Sequence, residues 1–210
     1  RDRLRSRGLG DVYKRQAMTI SGIFTKNGNA TVGCFVNSDV TIKKVCTAMR
    51  NTFAKASPSD AIILYFSGHG VPGGLVCYDG FLYYSSVLNI MRQSKALQKM
   101  IFVDACFAGK MRNTNKRNTN YSKENVMFFL SSRSTEKSLE TPRQTGFKNS
   151  LFTVFLERGL RGGADTNKDR VITAKEIYNF VHQGVVEASG NRQHPVMWGK
   201  FDGNMPVIKW

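Results

Sequence analysis

The sequence predicts an α/β protein in which helices cover the faces of a mostly parallel sheet. Three observations lead there. Short, nearly continuous apolar runs at 61–66, 100–105 and 126–130 have the length of strands buried on both faces. Stretches between them carry helical spacing and are long enough for right-handed crossovers between parallel strands. The 210 residues, 41% of them hydrophobic, suit one domain with a substantial core.

Taken in order, TVGCFVN at 31–37 reads as a short strand, and Asp39 or Thr41 can cap the helix that follows. In that helix Ile42, Val45, Met49 and Phe53 fall on one face. Ser57-Pro58-Ser59-Asp60 punctuates the chain before the strand at 61–66. A short strand at 75–78 and a helix near 84–97 lead to the strand MIFVDA. The segment 110–125 is polar and basic and reads as an exposed loop. VMFFL is the next strand and LFTVFLERGL a helix. TAKEIYNFVHQGVV follows as an amphipathic helix burying Ile177, Phe180, Val181 and Val185, and MPVIKW supplies a last strand.

The formal charge of +16 suggests a nucleic-acid partner, but its distribution argues against one. Residues 1–16, RDRLRSRGLGDVYKRQ, hold six Lys/Arg against two Asp, without apolar periodicity and without the apolar centre of a signal peptide. The segment resembles translated adaptor sequence from assembled sequencing reads, and it is read as a non-native or disordered leader. The remaining charge is spread along the chain and densest at 110–123, as on a solvated basic surface. Cys34, Cys46, Cys77 and Cys106 show no paired spacing, so neither a zinc site nor a disulfide framework is indicated and a reducing, cytoplasmic setting is expected. No apolar run has the length needed to cross a bilayer.

In open α/β sheets, reacting groups gather at the carboxyl ends of strands. Ser67-Gly68-His69-Gly70 ends one apolar strand, and Asp104-Ala105-Cys106 ends another. If these strands are neighbours, an imidazole and a thiol face each other, and such a pair is a complete nucleophilic device. The Gly70 and Cys106 backbone N–H groups are then candidate oxyanion donors. Alone, a cysteine at a strand end is more often an inert buried thiol, and a histidine in a turn a hydrogen-bonded turn residue. Joint placement raises the odds. Gly68-His-Gly70-Val-Pro-Gly73 also matches a dinucleotide fingerprint, but a strand rather than a helix follows it, so the match fails on context.

YFSGHG followed by FVDACFAG resembles the paired catalytic signature of the caspase and metacaspase superfamily, especially its bacterial metacaspase-like members. The likeness covers most of 17–210 and includes the late segment from Gly163 to Thr173, GADTNKDRVIT. It implies a caspase-like three-layer α/β/α sandwich with a mostly parallel sheet. It implies cysteine endopeptidase activity with His69 as base and Cys106 as nucleophile. Asp104 stands where caspases proper have Gln, as in metacaspases. A carboxylate at the floor of the specificity pocket selects basic side chains, so cleavage after Arg or Lys is expected, with Ser67 lining the same pocket. A structural or helix-capping role for Asp104 is the alternative. Relatives are often cut after the cysteine segment, which makes Lys110, Arg112, Lys116 and Arg117 candidate self-cleavage sites. The domain then divides into a large-subunit-like part to about 109, a basic linker at 110–125 and a small-subunit-like part at 126–210.

No cofactor is required by this reading. Asp165, Asn167, Asp169 and Glu176 have the ligand spacing of an EF-hand loop and are candidate calcium ligands, although Arg170 replaces the usual glycine; a helix-capping turn is the alternative. The first strand and most of the first helix of the fold have no counterpart before residue 17, where AMTISGIFTK resembles the tail of that helix. The chain is therefore read as N-terminally truncated, lacking the strand expected beside the histidine strand. Two rivals stand beside the peptidase: a catalytically silent caspase-like interaction module, and a basic nucleic-acid-binding domain. The second has little aromatic interleaving in its basic segments.

Overall fold

The structure is a computed structural model that describes residues 2–27, 30–71, 73–105, 126–133, 139 and 149–210, with the side chains of 2–10 and 27 outside the description. Helix α1 (Asp2–Asn27) is followed by a 3-10 turn (Asn37–Asp39) and α2 (Ile42–Phe53). Strand β1 (Ala61–Gly68) leads through three short strands, β2 (Gly70–Val71), β3 (Gly74–Cys77) and β4 (Gly80–Tyr83), to α3 (Tyr84–Gln93) and β5 (Gln98–Ala105). Then come β6 (Val126–Leu130), α4 (Leu151–Arg158), β7 (Val171–Thr173), α5 (Ala174–Ala188), β8 (Val196–Gly199) and β9 (Pro206–Lys209).

The central sheet has the order β1-β5-β6-β8, with β1, β5 and β6 parallel and β8 antiparallel. Alternation along each strand divides the core between the two faces. Ile101 and Val103 of β5 and Phe128 and Leu130 of β6 meet α2, α3 and the β3–β4 hairpin through Met49, Phe53, Leu75 and Val87. Met100, Phe102, Met127 and Phe129 point the other way, onto Ile20 and Ile23 of α1, Phe152 and Leu156 of α4, and Ile177 and Val181 of α5. This is the expected α/β/α arrangement. Trp198 of β8 stacks on Phe128 of β6 with ring centroids 3.9 Å apart and planes 9° from parallel.

Several local expectations hold for the reasons that motivated them. Thr41 caps α2 by accepting the Lys44 N–H at 3.3 Å, while Asp39 pairs with the Lys44 ammonium at 2.6 Å. The Asp60 carboxylate closes the turn before β1 by accepting from the Ser57 N–H and hydroxyl. Thr173 and Glu176 form a reciprocal capping box at the start of α5.

Others do not. Residues 31–36 are irregular and mostly exposed rather than a strand, and among the described residues no strand pairs with them. Strands β2, β4, β7 and β8 are additional, and β9 pairs with β7 in a separate two-stranded sheet. Residues 2–16, expected to be disordered if not foreign, are helical and continuous with the anchored turns around Ile20, Ile23 and Phe24. Arg, Lys, Leu and Gln are good helix formers, and no proline stops the helix from propagating backwards. Among the described residues no strand precedes β1, and its one strand neighbour is β5.

Candidate active site

The two apolar strands singled out in the sequence are direct neighbours. β1 and β5 pair in parallel over eight positions, ending with Ser67 opposite Asp104 and Gly68 opposite Ala105. His69 is the residue after the last paired position of β1, and Cys106 is the residue after the last paired position of β5. Cys106 itself lies outside the described residues, as do Lys110, Arg112, Lys116 and Arg117.

His69 is exposed at the carboxyl end of β1. Its carbonyl accepts the Val76 N–H at 3.0 Å, which ties the turn to β3. Bonded pairs alternate in an antiparallel ladder, so the neighbouring Gly70–Leu75 pair is a non-bonded one and the Gly70 N–H is directed away from β3. Strand β3 follows this turn, and the dinucleotide fingerprint therefore lacks the helix it needs. The Tyr13 ring meets the imidazole edge-on at a centroid distance of 5.4 Å. Ser67 donates to the Gln16 side-chain oxygen, which is fully buried beside it. Two of the residues nearest the histidine turn thus come from the leader segment.

Asp104 is 3% exposed on the face covered by α4. Its Oδ2 accepts from the Ser150 hydroxyl and from Thr153 Oγ1, the latter at 2.6 Å. Ser150 is the N-cap of α4 and also accepts the Thr153 N–H at 3.1 Å, so the carboxylate sits beneath a helix N-terminus where negative charge is favoured. Tyr65 joins the network through a 2.7 Å hydroxyl contact with Thr153. Burial pushes the Tyr65 hydroxyl pKa up, and the Asp104 charge adds to that shift. The structural alternative for Asp104 is the one these bonds describe: Ser150 caps α4, and Asp104 holds that cap through the Ser150 and Thr153 hydroxyls.

The candidate calcium ligands form a compact loop before α5. Asp169 Oδ1 accepts the Val171 N–H, Asp165 Oδ2 the Arg170 N–H, and Asn167 Oδ1 the Asp169 N–H. Both Glu176 oxygens are engaged, one by Thr166 and the other by Thr173. Burial pushes the Glu176 carboxyl up, but the Thr173 and Thr166 hydrogen bonds outweigh it and hold the pKa at about 2. Among the described residues no group of three His, Cys, Asp or Glu side chains converges as a metal site. No described helix is long and apolar enough to cross a membrane. A cavity of about 260 Å³ lined by Leu97, Gln98, Phe201 and Pro206 opens at the other end of β5, away from His69 and Asp104.

Sequence reasoning missed Tyr65, Ser131, Ser150, Thr153 and Gln193, all of which surround the strand ends. Ser150 before an apolar run is a readable N-cap signal. Nothing in the sequence marks the others.

A mostly parallel sheet that ends Ser-Gly-His and Asp-Ala on adjacent strands, between two helical layers, defines a caspase-like α/β domain. The chain belongs to the caspase domain family of peptidases, whose family model matches residues 14–204. Among solved structures it resembles a Geobacter sulfurreducens protein at 15% identity and TM-score 0.67, covering 90% of this chain and 84% of that one. It also resembles caspase-1 from Spodoptera frugiperda at 17% identity and TM-score 0.64, covering 91% and 78%. A search of curated proteins finds no match.

Proposed function

We propose that the protein is a cysteine endopeptidase acting on protein substrates, with His69 as general base and Cys106 as nucleophile. The carrying observation is the in-register parallel pairing of β1 with β5, whose last pairs precede these two residues. In the mechanism, His69 removes the thiol proton and the thiolate attacks the scissile carbonyl carbon. The carbonyl oxygen becomes an oxyanion accepting from the Gly70 and Cys106 N–H groups. The tetrahedral intermediate collapses as the imidazolium protonates the leaving amine, giving an acyl-enzyme. Water deprotonated by the imidazole then attacks the thioester and regenerates the thiol.

The preference for Arg or Lys rests on the negative charge of Asp104 between the strand ends, with Ser67 opposite it in the register. An enzyme of that preference can process itself at Lys110, Arg112, Lys116 or Arg117. The absence of paired cysteine spacings supports a cytoplasmic setting, and calcium at the Asp165–Glu176 loop is a modulator to be tested by chelation. The deciding assay uses fluorogenic peptides ending in Arg, Lys or Asp. Hydrolysis of the basic peptides that disappears in Cys106→Ala and His69→Ala supports the reading. No Cys106-dependent hydrolysis of any peptide returns the chain to a silent interaction module.

A further inference from the structure

The two residues before Cys106 are each held by a side-chain hydroxyl. Ser131, the first residue after β6, places its Oγ 3.2 Å from both the N and the O of Ala105, and its own N–H donates to Val103 O at 2.9 Å. Asp104 is held by Ser150 and Thr153 at the start of α4. One buried side chain connects these two supports. Gln193, fully buried in the turn between α5 and β8, donates from Nε2 to the Ser131 carbonyl at 2.7 Å. Its Oε1 accepts the Leu139 N–H at 2.8 Å, and the Leu139 carbonyl accepts the Leu151 N–H at 3.0 Å at the head of α4. The Gln193 backbone is itself fixed, its N–H donating to Ser189 Oγ at 3.1 Å.

We propose that Gln193 is a positioning residue for the nucleophile, a role that rests on the peptidase reading above. A primary amide is suited to the task, because it carries a donor and an acceptor on one rigid plane and can fasten a carbonyl and an N–H at once. Through Ser131 it braces Ala105, and through Leu139 and the start of α4 it braces Asp104. The carboxyl end of β5 is thereby held from both sides up to Ala105, the residue before Cys106. Displacements of about 1 Å at a reacting group cost on the order of 100-fold in rate.

The test compares the native chain with Gln193→Leu and Gln193→Glu. Two readouts are followed: peptide hydrolysis per titrated site, and iodoacetamide alkylation of Cys106 against pH, quantified by mass spectrometry. The exposed thiol of Cys34 serves as internal reference. Gln193→Leu is expected to lower kcat roughly 10- to 100-fold with little change in KM. It should also shift Cys106 alkylation to higher pH while Cys34 is unchanged. In Gln193→Glu the protonated carboxyl can still donate to Ser131 and accept from Leu139, and the ionised form cannot donate. Its Cys106 alkylation should therefore follow the native curve in acid and fall away as pH rises. A folded Gln193→Leu with native kcat and native alkylation overturns the proposal. If that variant does not fold, a Gln193→Glu curve parallel to the native one at every pH overturns it. Native chain that alkylates normally but shows no Cys106-dependent hydrolysis defeats the peptidase reading instead, and the alkylation comparison still decides the role of Gln193.

Discussion

Asp104 carries two demands that pull apart under substitution. Its Oδ2 supports the head of α4, and its charge is assigned to the recognition of a basic substrate. Hydrogen bonds to charged groups contribute about 1.5–3 kcal/mol, and a buried hydroxyl left without its partner costs a similar amount. Asp104→Ala should therefore lower stability by roughly 2–4 kcal/mol, read as a denaturant midpoint. Asp104→Asn keeps a side-chain oxygen for Ser150 and Thr153, so it should lose less stability while losing most of the discrimination between Arg and neutral peptides. Retention of full Arg preference by Asp104→Asn would remove Asp104 from substrate recognition. At Glu176 the sign of the pH effect follows from its lowered pKa. The folded value of about 2 lies below the unfolded 4.5, so its contribution is complete above about 4.5 and is lost as pH falls towards 2. The Tm difference between native chain and Glu176→Gln should be constant at neutral pH and close across that acid window.

At the scale of elements, close approaches set the tolerances. A Cβ at Gly184 would overlap the Phe155 ring, where α5 crosses α4. Gly184→Ala should cost about 1–3 kcal/mol in thermal or chemical unfolding, as overpacking does. Gly199 is more constrained still: its φ of 130° excludes most side chains, and a Cβ would strike the Val126 carbonyl across the β6–β8 ladder. Gly199→Ala should be the more damaging of the two, and the reverse order would contradict this packing. The elements themselves were readable to different depths. VMFFL and MIFVDA are buried on both faces, and continuous apolar runs announce that condition. TVGCFVN, with two Val and a Phe, is also rich in strand-forming residues and forms no strand, because a strand is a property of a pair and composition describes one partner. His69 stood out through its glycines and its strand. Gln193 could not, since its importance lies in where residues 54 and 62 positions away return to meet it.

For the whole molecule, charge and specificity oppose each other. A chain of net charge +16 repels the cationic substrates that Asp104 is assigned to select. At low ionic strength the Debye length is roughly 30 Å, and at physiological salt about 8 Å. kcat/KM for a short Arg peptide should therefore rise with added salt, whereas a peptide whose Arg is flanked by acidic residues should be cleaved best at low salt. Equal salt dependence for the two would show that the global field has no part in substrate capture. The same charge makes weak nucleic-acid adsorption expected at low salt, and steep loss of such binding with salt would mark it as non-specific.

The stack of Trp198 on Phe128 also gives the protein a built-in optical reporter. The chain has two tryptophans, and Trp210 at the C-terminus is 44% exposed. Trp198 lies two positions along the ladder from the Leu130–Val196 pair, one residue short of Ser131 and its contact with Ala105. Emission from Trp198 therefore follows the separation of β8 from β6, while Trp210 supplies a signal already open to solvent. With Trp210 replaced by Phe, the remaining fluorescence would report, without any added dye, when the sheet loosens beside the strand end that leads to Cys106.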